Sequence, residues 1–194
     1  MSMTLYLIRH GETDWNRQHR FQGSNDIPLN ENGLAVARET AAGMARVGLT
    51  FDRIYSSPLS RAYETARILC PQQEIQVDQR LREVSFGDLE GEVYQDVKSL
   101  PMPAPGGEDI PELQSRVLSC LEEIMTDPEN QGKRILVSAH GGVIRSVMMH
   151  LIDLPREEFW RGGVSKNCGM TILDVEGETL TIREENKVFY NTPS

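Results

Sequence analysis

Leu5-Tyr6-Leu7-Ile8-Arg9-His10-Gly11-Glu12-Thr13 decides the fold of this chain. Four apolar residues in a row, too few for a helix, read as a short strand buried on both faces. The polar run that follows, opened by an arginine and a histidine, reads as the turn leaving that strand's carboxyl end. Working outward, the same grammar recurs. Asn30 to Met44 is Ala-rich with Glu31 early in it, and reads as a helix. Arg53-Ile54-Tyr55-Ser56 is a second strand, and Ser60 can cap a helix running to about Leu69, with Glu64 on its first turn. Ile110 to Met125 is amphipathic and helical. Ile135-Leu136-Val137-Ser138 is another buried strand, followed by Gly141-Gly142 and the helical run Val143 to Leu151. Met170 to Val175 and Thr179 to Glu184 flank Glu176-Gly177-Glu178, the pattern of a hairpin. Leu100 to Gly107, with three prolines and two glycines, is a loop.

Short buried strands alternating with helices specify an α/β fold. The expected architecture is a three-layer α/β/α arrangement around a mostly parallel sheet, with an antiparallel strand at its C-terminal edge. The 194 residues suit one domain spanning residues 1–194. Hydrophobic residues at 39% and charged residues at 25% are those of an ordinary globular chain. The net charge of -9 argues against nucleic acid and anionic membranes as partners, and requires a local basic cluster wherever an anion is bound. The start of the chain lacks a basic n-region, and no run approaches the roughly 20 apolar residues of a membrane span. Cys70, Cys120 and Cys168 are too scattered for a disulfide framework or a paired-cysteine metal site. By exclusion, the expected location is the cytoplasm.

In open α/β sheets ligands bind beyond the carboxyl ends of the strands. Those ends carry Arg9-His10-Gly11, Ser56-Ser57-Pro58 just before Ser60-Arg61, and Ala139-His140-Gly141-Gly142. His19, in a polar loop, and His150, inside a helix, fall elsewhere. Arg9 and Arg61 offer planar forks of donors that suit phosphate oxygens. The helix after His140 should direct free N–H groups at an anion. His10 is a candidate nucleophile towards phosphorus, and His140 a donor to the phosphoryl oxygens. Glu83, at the end of a short apolar segment, is the candidate proton donor for the leaving oxygen. Taken singly each residue has an ordinary reading, as a solvated arginine, a surface glutamate or a structural histidine; the case rests on their shared placement. The chain has no GxxxxGK[ST], no GxGxxG after the first strand, no HExxH and no GxSxG. A zinc site on the two histidines is disfavoured by the adjacent arginines.

The stretch from Leu7 to Asn16, with Arg-His-Gly-Glu at its centre and Trp15-Asn16 at its end, resembles the signature of the histidine phosphatase superfamily, the phosphoglycerate-mutase-like proteins. The resemblance continues through Phe21 to Leu29, Ser56 to Ala62, Thr65-Ala66, Leu81-Arg82-Glu83, Phe86-Gly87, Glu90-Gly91, Pro105 to Glu108 and Ser138 to Arg145. It implies a phosphorylated His10, a phosphate pocket of Arg9, Arg61 and His140 with Asn16 adding a contact, and Glu83 as acid and then base. Gly23 would border the substrate and Gly141 would offer a backbone contact. It implies a small phosphorylated metabolite as partner, and neither metal nor organic cofactor. The form around Glu83 is more similar to short broad-specificity and α-ribazole phosphatases than to mutases, which have a longer insertion with extra basic groups. Between Glu83 and His140 the cations are Lys98, Arg116, Lys133 and Arg134. A mutase is the first rival to a phosphatase, and a module that only captures a phosphorylated partner the second. The segment from Val84 to Ala139 is expected to leave an open, Pro-Gly-rich loop, and the pocket mouth to come from residues 18–26, 84–109 and 164–168.

Overall fold

The computed structural model describes residues 2–191. Its centre is a six-stranded sheet made of β1 (Met3–Arg9), β2 (Arg53–Ser56), β3 (Ile75–Val77), β4 (Arg134–Ala139), β5 (Met170–Glu176) and β6 (Thr179–Lys187). The spatial order is β3-β2-β4-β1-β5-β6. β1, β2, β3 and β4 run parallel, while β5 is antiparallel to β1 and β6 antiparallel to β5. The helices are α1 (Asp14–Arg17), α2 (Glu31–Arg46), α3 (Ser60–Leu69), α4 (Ile110–Thr126) and α5 (Gly141–Leu151). This is the expected mixed, mainly parallel sheet with helices on both faces. The antiparallel edge is wider than expected, since both arms of the Gly177 hairpin join the sheet.

The side-chain alternation of β1 explains the layers. Leu5 and Leu7 point into one core, with Leu113 and Val117 of α4 and Val143, Ile144 and Val147 of α5. Tyr6 and Ile8 point into the other, with Ala37 and Met44 of α2 and Ala66 and Leu69 of α3. A strand buried on both sides needs the near-continuous apolar run seen at residues 5–8.

Two local expectations need correction. Ser60 does not cap α3: the cap position is Leu59, which contributes no side-chain bond, and Asp26 Oδ1 accepts from Ser60 N at 2.7 Å instead. The Pro-Gly segment is not open. Glu108 N donates to Ser85 O at 2.9 Å and Asp88 N to Pro105 O at 2.9 Å, and Ala104 is buried. β3 and α1 were not legible, because three residues and four residues carry too little periodicity. α1 is held by a capping box between Thr13 and Asn16.

The topology creates one crevice. α2 follows β1 on one face of the sheet, and α5 follows β4 on the other. β1 and β4 are neighbours, so the chain diverges in opposite directions at their carboxyl ends, which is where α/β sheets bind ligands.

Candidate active site

The register of β1 on β4 pairs Arg9 with Ala139. The next residue on each strand is a histidine, so His10 and His140 emerge side by side. Their ring centroids are 5.3 Å apart, and both are buried, at 2% and 0% exposure. His10 Nδ1 lies 2.7 Å from Gly11 O. A carbonyl only accepts, so Nδ1 carries the proton and Nε2 the lone pair. Burial, followed by the charges of Arg61 and Arg9, holds the His10 ring well below the usual imidazole range, which keeps it neutral. This is the state a nucleophile needs.

His140 faces a different partner. Its Nε2 lies 2.7 Å from Ser57 Oγ, which also accepts from Leu59 N at 3.3 Å. Where the Ser57 hydroxyl donates its one proton to His140 Nε2, the neutral ring carries its own proton on Nδ1. That Nδ1 is buried without a partner, and in this tautomer it is a donor. Burial, and after it Arg61, holds this ring too well below the usual range.

Arg61 sits on the first turn of α3 and is 1% exposed. Its Nη1 donates to Asn25 O at 2.5 Å and its Nη2 to Gly23 O at 2.8 Å, while Nε is buried without an acceptor. Burial pushes the guanidinium down to about 10, still charged at neutral pH. Arg9 donates through Nη1 to Ser165 O at 2.6 Å, and its Nε is likewise buried and unpartnered. Two arginine Nε–H groups and one imidazole N–H therefore lack acceptors around His10. Buried donors are normally satisfied, and an anion would satisfy these.

Glu83 completes the set from the opposite wall. Its Oε2 accepts from Gly142 N at 3.1 Å and its Oε1 from Val84 N at 2.8 Å. A Cβ on residue 142 would fall 2.4 Å from Glu83 Oε1, so only glycine lets this carboxylate dock on the α5 terminus. The helix N–H expected to be free for an anion is thus taken by Glu83. Arg116 on α4 fixes the segment behind it, donating to the carbonyls of Arg80 and Arg82 at 2.7 Å each and of Glu83 at 3.2 Å. Glu108 pairs with the same guanidinium at 2.6 Å, with both side chains largely buried.

Arg9, His10, Asn16, Gly23, Arg61, Glu83 and Gly142 line one cleft enclosing about 470 Å³ of empty space. The recorded bonds of the Asn16 amide all run to Oδ1, from Thr13 N, Thr13 Oγ1 and Asn167 Nδ2, which leaves its NH₂ for the cleft. Gly23 has φ +53, and a Cβ there would meet Glu90 Oε1 at 2.1 Å. That carboxylate also accepts from Ser24 N, Asn25 Nδ2 and Phe86 N, tying the 23–25 loop to the segment after Glu83. Gly141 does not line the cleft; it lies in the adjoining cavity with Val164 and Ser165. His140 is not in the lining either and meets the site through its ring beside His10, while His19 and His150 stand outside it. Sequence reasoning assigned no role to Ser57, Glu90, Glu108 or Arg116, although the first three lie inside quoted motifs. Trp160, which lines the mouth, fell outside the expected ranges.

The family model described as histidine phosphatase superfamily, branch 1, matches residues 5–188. The chain belongs to the histidine phosphatase superfamily. Similar members of the superfamily carry more than one kind of name. A 2,3-bisphosphoglycerate-dependent phosphoglycerate mutase of Parvibaculum lavamentivorans is 35% identical over 176 residues, 81% of this chain and 84% of that one. The Bacillus stearothermophilus protein YhfR is 32% identical with a TM-score of 0.83, covering 95% of this chain and 97% of that one. A phosphoserine phosphatase from Entamoeba histolytica, solved with 3-phosphoglyceric acid, is 27% identical with a TM-score of 0.81, covering 95% and 97%. Among the described residues no helix is long and apolar enough to cross a membrane.

The neutral histidines of this superfamily member have a consequence for stability. An imidazole held below its unfolded value near 6.5 stays unprotonated in the fold while the unfolded chain takes up the proton. Stability is then present above about pH 6.5 and falls as pH drops below it. Between pH 7.5 and 5.5 each ring should cost on the order of 1 kcal/mol. Urea unfolding at the two pH values should show a loss that His140→Gln reduces. An unchanged pH dependence in that variant would mean that His140 takes up its proton in the native state as it does in the unfolded chain.

Proposed function

We propose that this chain hydrolyses small phosphate monoesters through a phosphohistidine at His10. The observation that carries this reading is the neutral His10 ring, with its Nε2 lone pair free, set among unpartnered Arg9, Arg61 and His140 donors. In the first half, Nε2 attacks phosphorus, the P–N bond forms, and the ester P–O bond breaks with its electron pair leaving on oxygen. Glu83 delivers a proton to that oxygen. The arginine Nε–H groups, His140 Nδ1–H and the Asn16 amide meet the charge on the equatorial oxygens. In the second half, water attacks phosphorus while Glu83 takes its proton, and the P–N electron pair returns to Nε2. Glu83 lines the same cleft as His10, as both halves require. A module that only captured phosphate would use neither the neutral nucleophile nor the carboxylate. Asn16 and Gly23 contact the substrate beside the phosphate.

Hydrolysis rather than mutase chemistry is favoured by where the cations sit. A mutase must hold a carboxylate and a second phosphate while the intermediate reorients. Arg116 is committed to Glu108 and three carbonyls, and Arg134 opens β4 at the end of the sheet away from the cleft. Residues 84–107, expected as an open loop, are folded against the mouth, so this segment does not itself favour hydrolysis. The charge on the phosphoryl group is met here by arginine and histidine donors, so the proposed chemistry is metal-independent. The test supplies 3-phosphoglycerate with catalytic 2,3-bisphosphoglycerate in EDTA, alongside other monoesters. Release of inorganic phosphate should dominate, undiminished by the chelator. Rapid formation of 2-phosphoglycerate with little free phosphate would make the chain a mutase, and activity restored only by Mg²⁺ or Zn²⁺ would sink the metal-free mechanism.

A further inference from the structure

The cleft has two unlike halves. The end around His10 is charged and polar. The wall beyond it is a continuous run of rings: Tyr94 lies 5.2 Å from Phe21, Phe21 5.1 Å from Phe86, and Phe86 6.2 Å from Trp160, centroid to centroid. Leu100 and Val164 extend this wall. Aromatic residues make up only 6% of the chain, yet four of them meet in this one place. Phe21, Phe86 and Trp160 are at most 6% exposed, so the rings are held rigidly by their own packing.

Among the described residues Arg20 is the cation lining the mouth beside these rings, and two of its three side-chain nitrogens are already bonded. Its Nη1 donates to Gly91 O at 2.7 Å and its Nε to Gln18 Oε1 at 2.8 Å. These bonds hold the chain next to the isolated bridge between Arg20 and Val93, which positions Tyr94. A substrate whose alcohol portion carries a carboxylate, an ammonium or a second phosphate would lose hydration against the rings, with Arg20 Nη2 the one nitrogen of that side chain left to meet an anion. An apolar ring would instead displace water from apolar surface.

We propose that the substrates of this site are monoesters of apolar, ring-bearing alcohols, taken in preference to phosphoglycerate or phosphoserine. This rests on the phosphatase reading above and names the class of leaving group. The rigid ring wall supplies the binding energy, and the charged end supplies the chemistry.

The test compares benzyl phosphate with glycerol 3-phosphate, 3-phosphoglycerate and phosphoserine. All four release an alkoxide, so differences in leaving ability are small and recognition dominates. The kcat/KM for benzyl phosphate should exceed the others by roughly 10- to 100-fold, mainly through KM, as expected for burying one ring. Leu100→Gln, at a partly buried position closing a 3-10 turn, should shrink that ratio several-fold in a chain that circular dichroism shows to be folded. Phe86→Leu, which trims the wall but keeps it apolar, should shrink it less. Equal or better turnover of 3-phosphoglycerate or phosphoserine would overturn the substrate class and leave the phosphatase reading standing. So would a ratio unmoved by Leu100→Gln. No phosphate released from any of the four would overturn both.

Discussion

Replacing His10 with alanine should lower turnover by roughly 10⁴- to 10⁶-fold, the scale seen when a covalent nucleophile is removed. It should also abolish the phosphoenzyme. Brief exposure of the native protein to labelled substrate should leave phosphate on His10 through a P–N bond, labile to acid and more durable in base. The reason for so large an effect is that nothing else in the cleft is placed to attack. His140 shares the strand-end position but has its Nε2 engaged by Ser57 and is not among the residues lining the cleft. The fold should tolerate the change better than the chemistry does. Removing a buried ring leaves a cavity, but it also removes a group that burial and two arginines hold neutral against its preference. Circular dichroism and a thermal melt should therefore report a folded chain. Labelling that persists in His10→Ala would move the nucleophile elsewhere.

The second large effect is expected at Glu83. An alkoxide is a poor leaving group, so its oxygen needs a proton as the P–O bond breaks. Glu83→Gln keeps the side-chain shape and removes the acid, and kcat on an alkyl phosphate should fall by about 10²–10⁴-fold. KM should change little, since the arginines bind the phosphate. With p-nitrophenyl phosphate the loss should be much smaller, because that phenolate departs without help. The comparison matters because Glu83 also accepts from Gly142 N and Val84 N, and so contributes to the junction between α5 and the segment held by Arg116. A merely structural role would depress both substrates equally, and that result would count against proton transfer.

Much of this site could be read from the order of residues. Arg9, His10 and His140 were found because short apolar runs mark the strands, and strand ends mark the crevice. The register that brings the two histidines within 5.3 Å is a pairing between residues 130 apart, which no local pattern encodes. Glu83 was the weakest candidate by position, lying in no strand or helix. What holds it is Arg116, which looked like a stray cation because its partners, Glu108 and three carbonyls, come from elsewhere in the chain. Ser57 was visible only as part of a quoted motif; its effect on the His140 proton needs the ring's orientation. Trp160 escaped because it lies in a loop and 3-10 turn with no periodicity, and its burial depends on Phe86 and Phe159. Strand and helix ends fell within a few residues of expectation, with the hairpin arm β6 running three residues beyond Glu184 to Lys187.

The place of β1 in the sheet has a consequence for how the protein is made. Of the strands in this sheet β1 is made first, and both of its neighbours come late: β4 begins at Arg134 and β5 at Met170. During most of synthesis the Leu5–Ile8 run has no partner strand, while β2, α3 and β3 can close on one another locally. Pairings this distant in sequence slow folding and leave sticky surface waiting. The nascent chain therefore carries this apolar strand unpaired until β4 has emerged. His10 and His140 meet only when that strand is finally enclosed, so catalytic competence and completion of the sheet arrive in the same event.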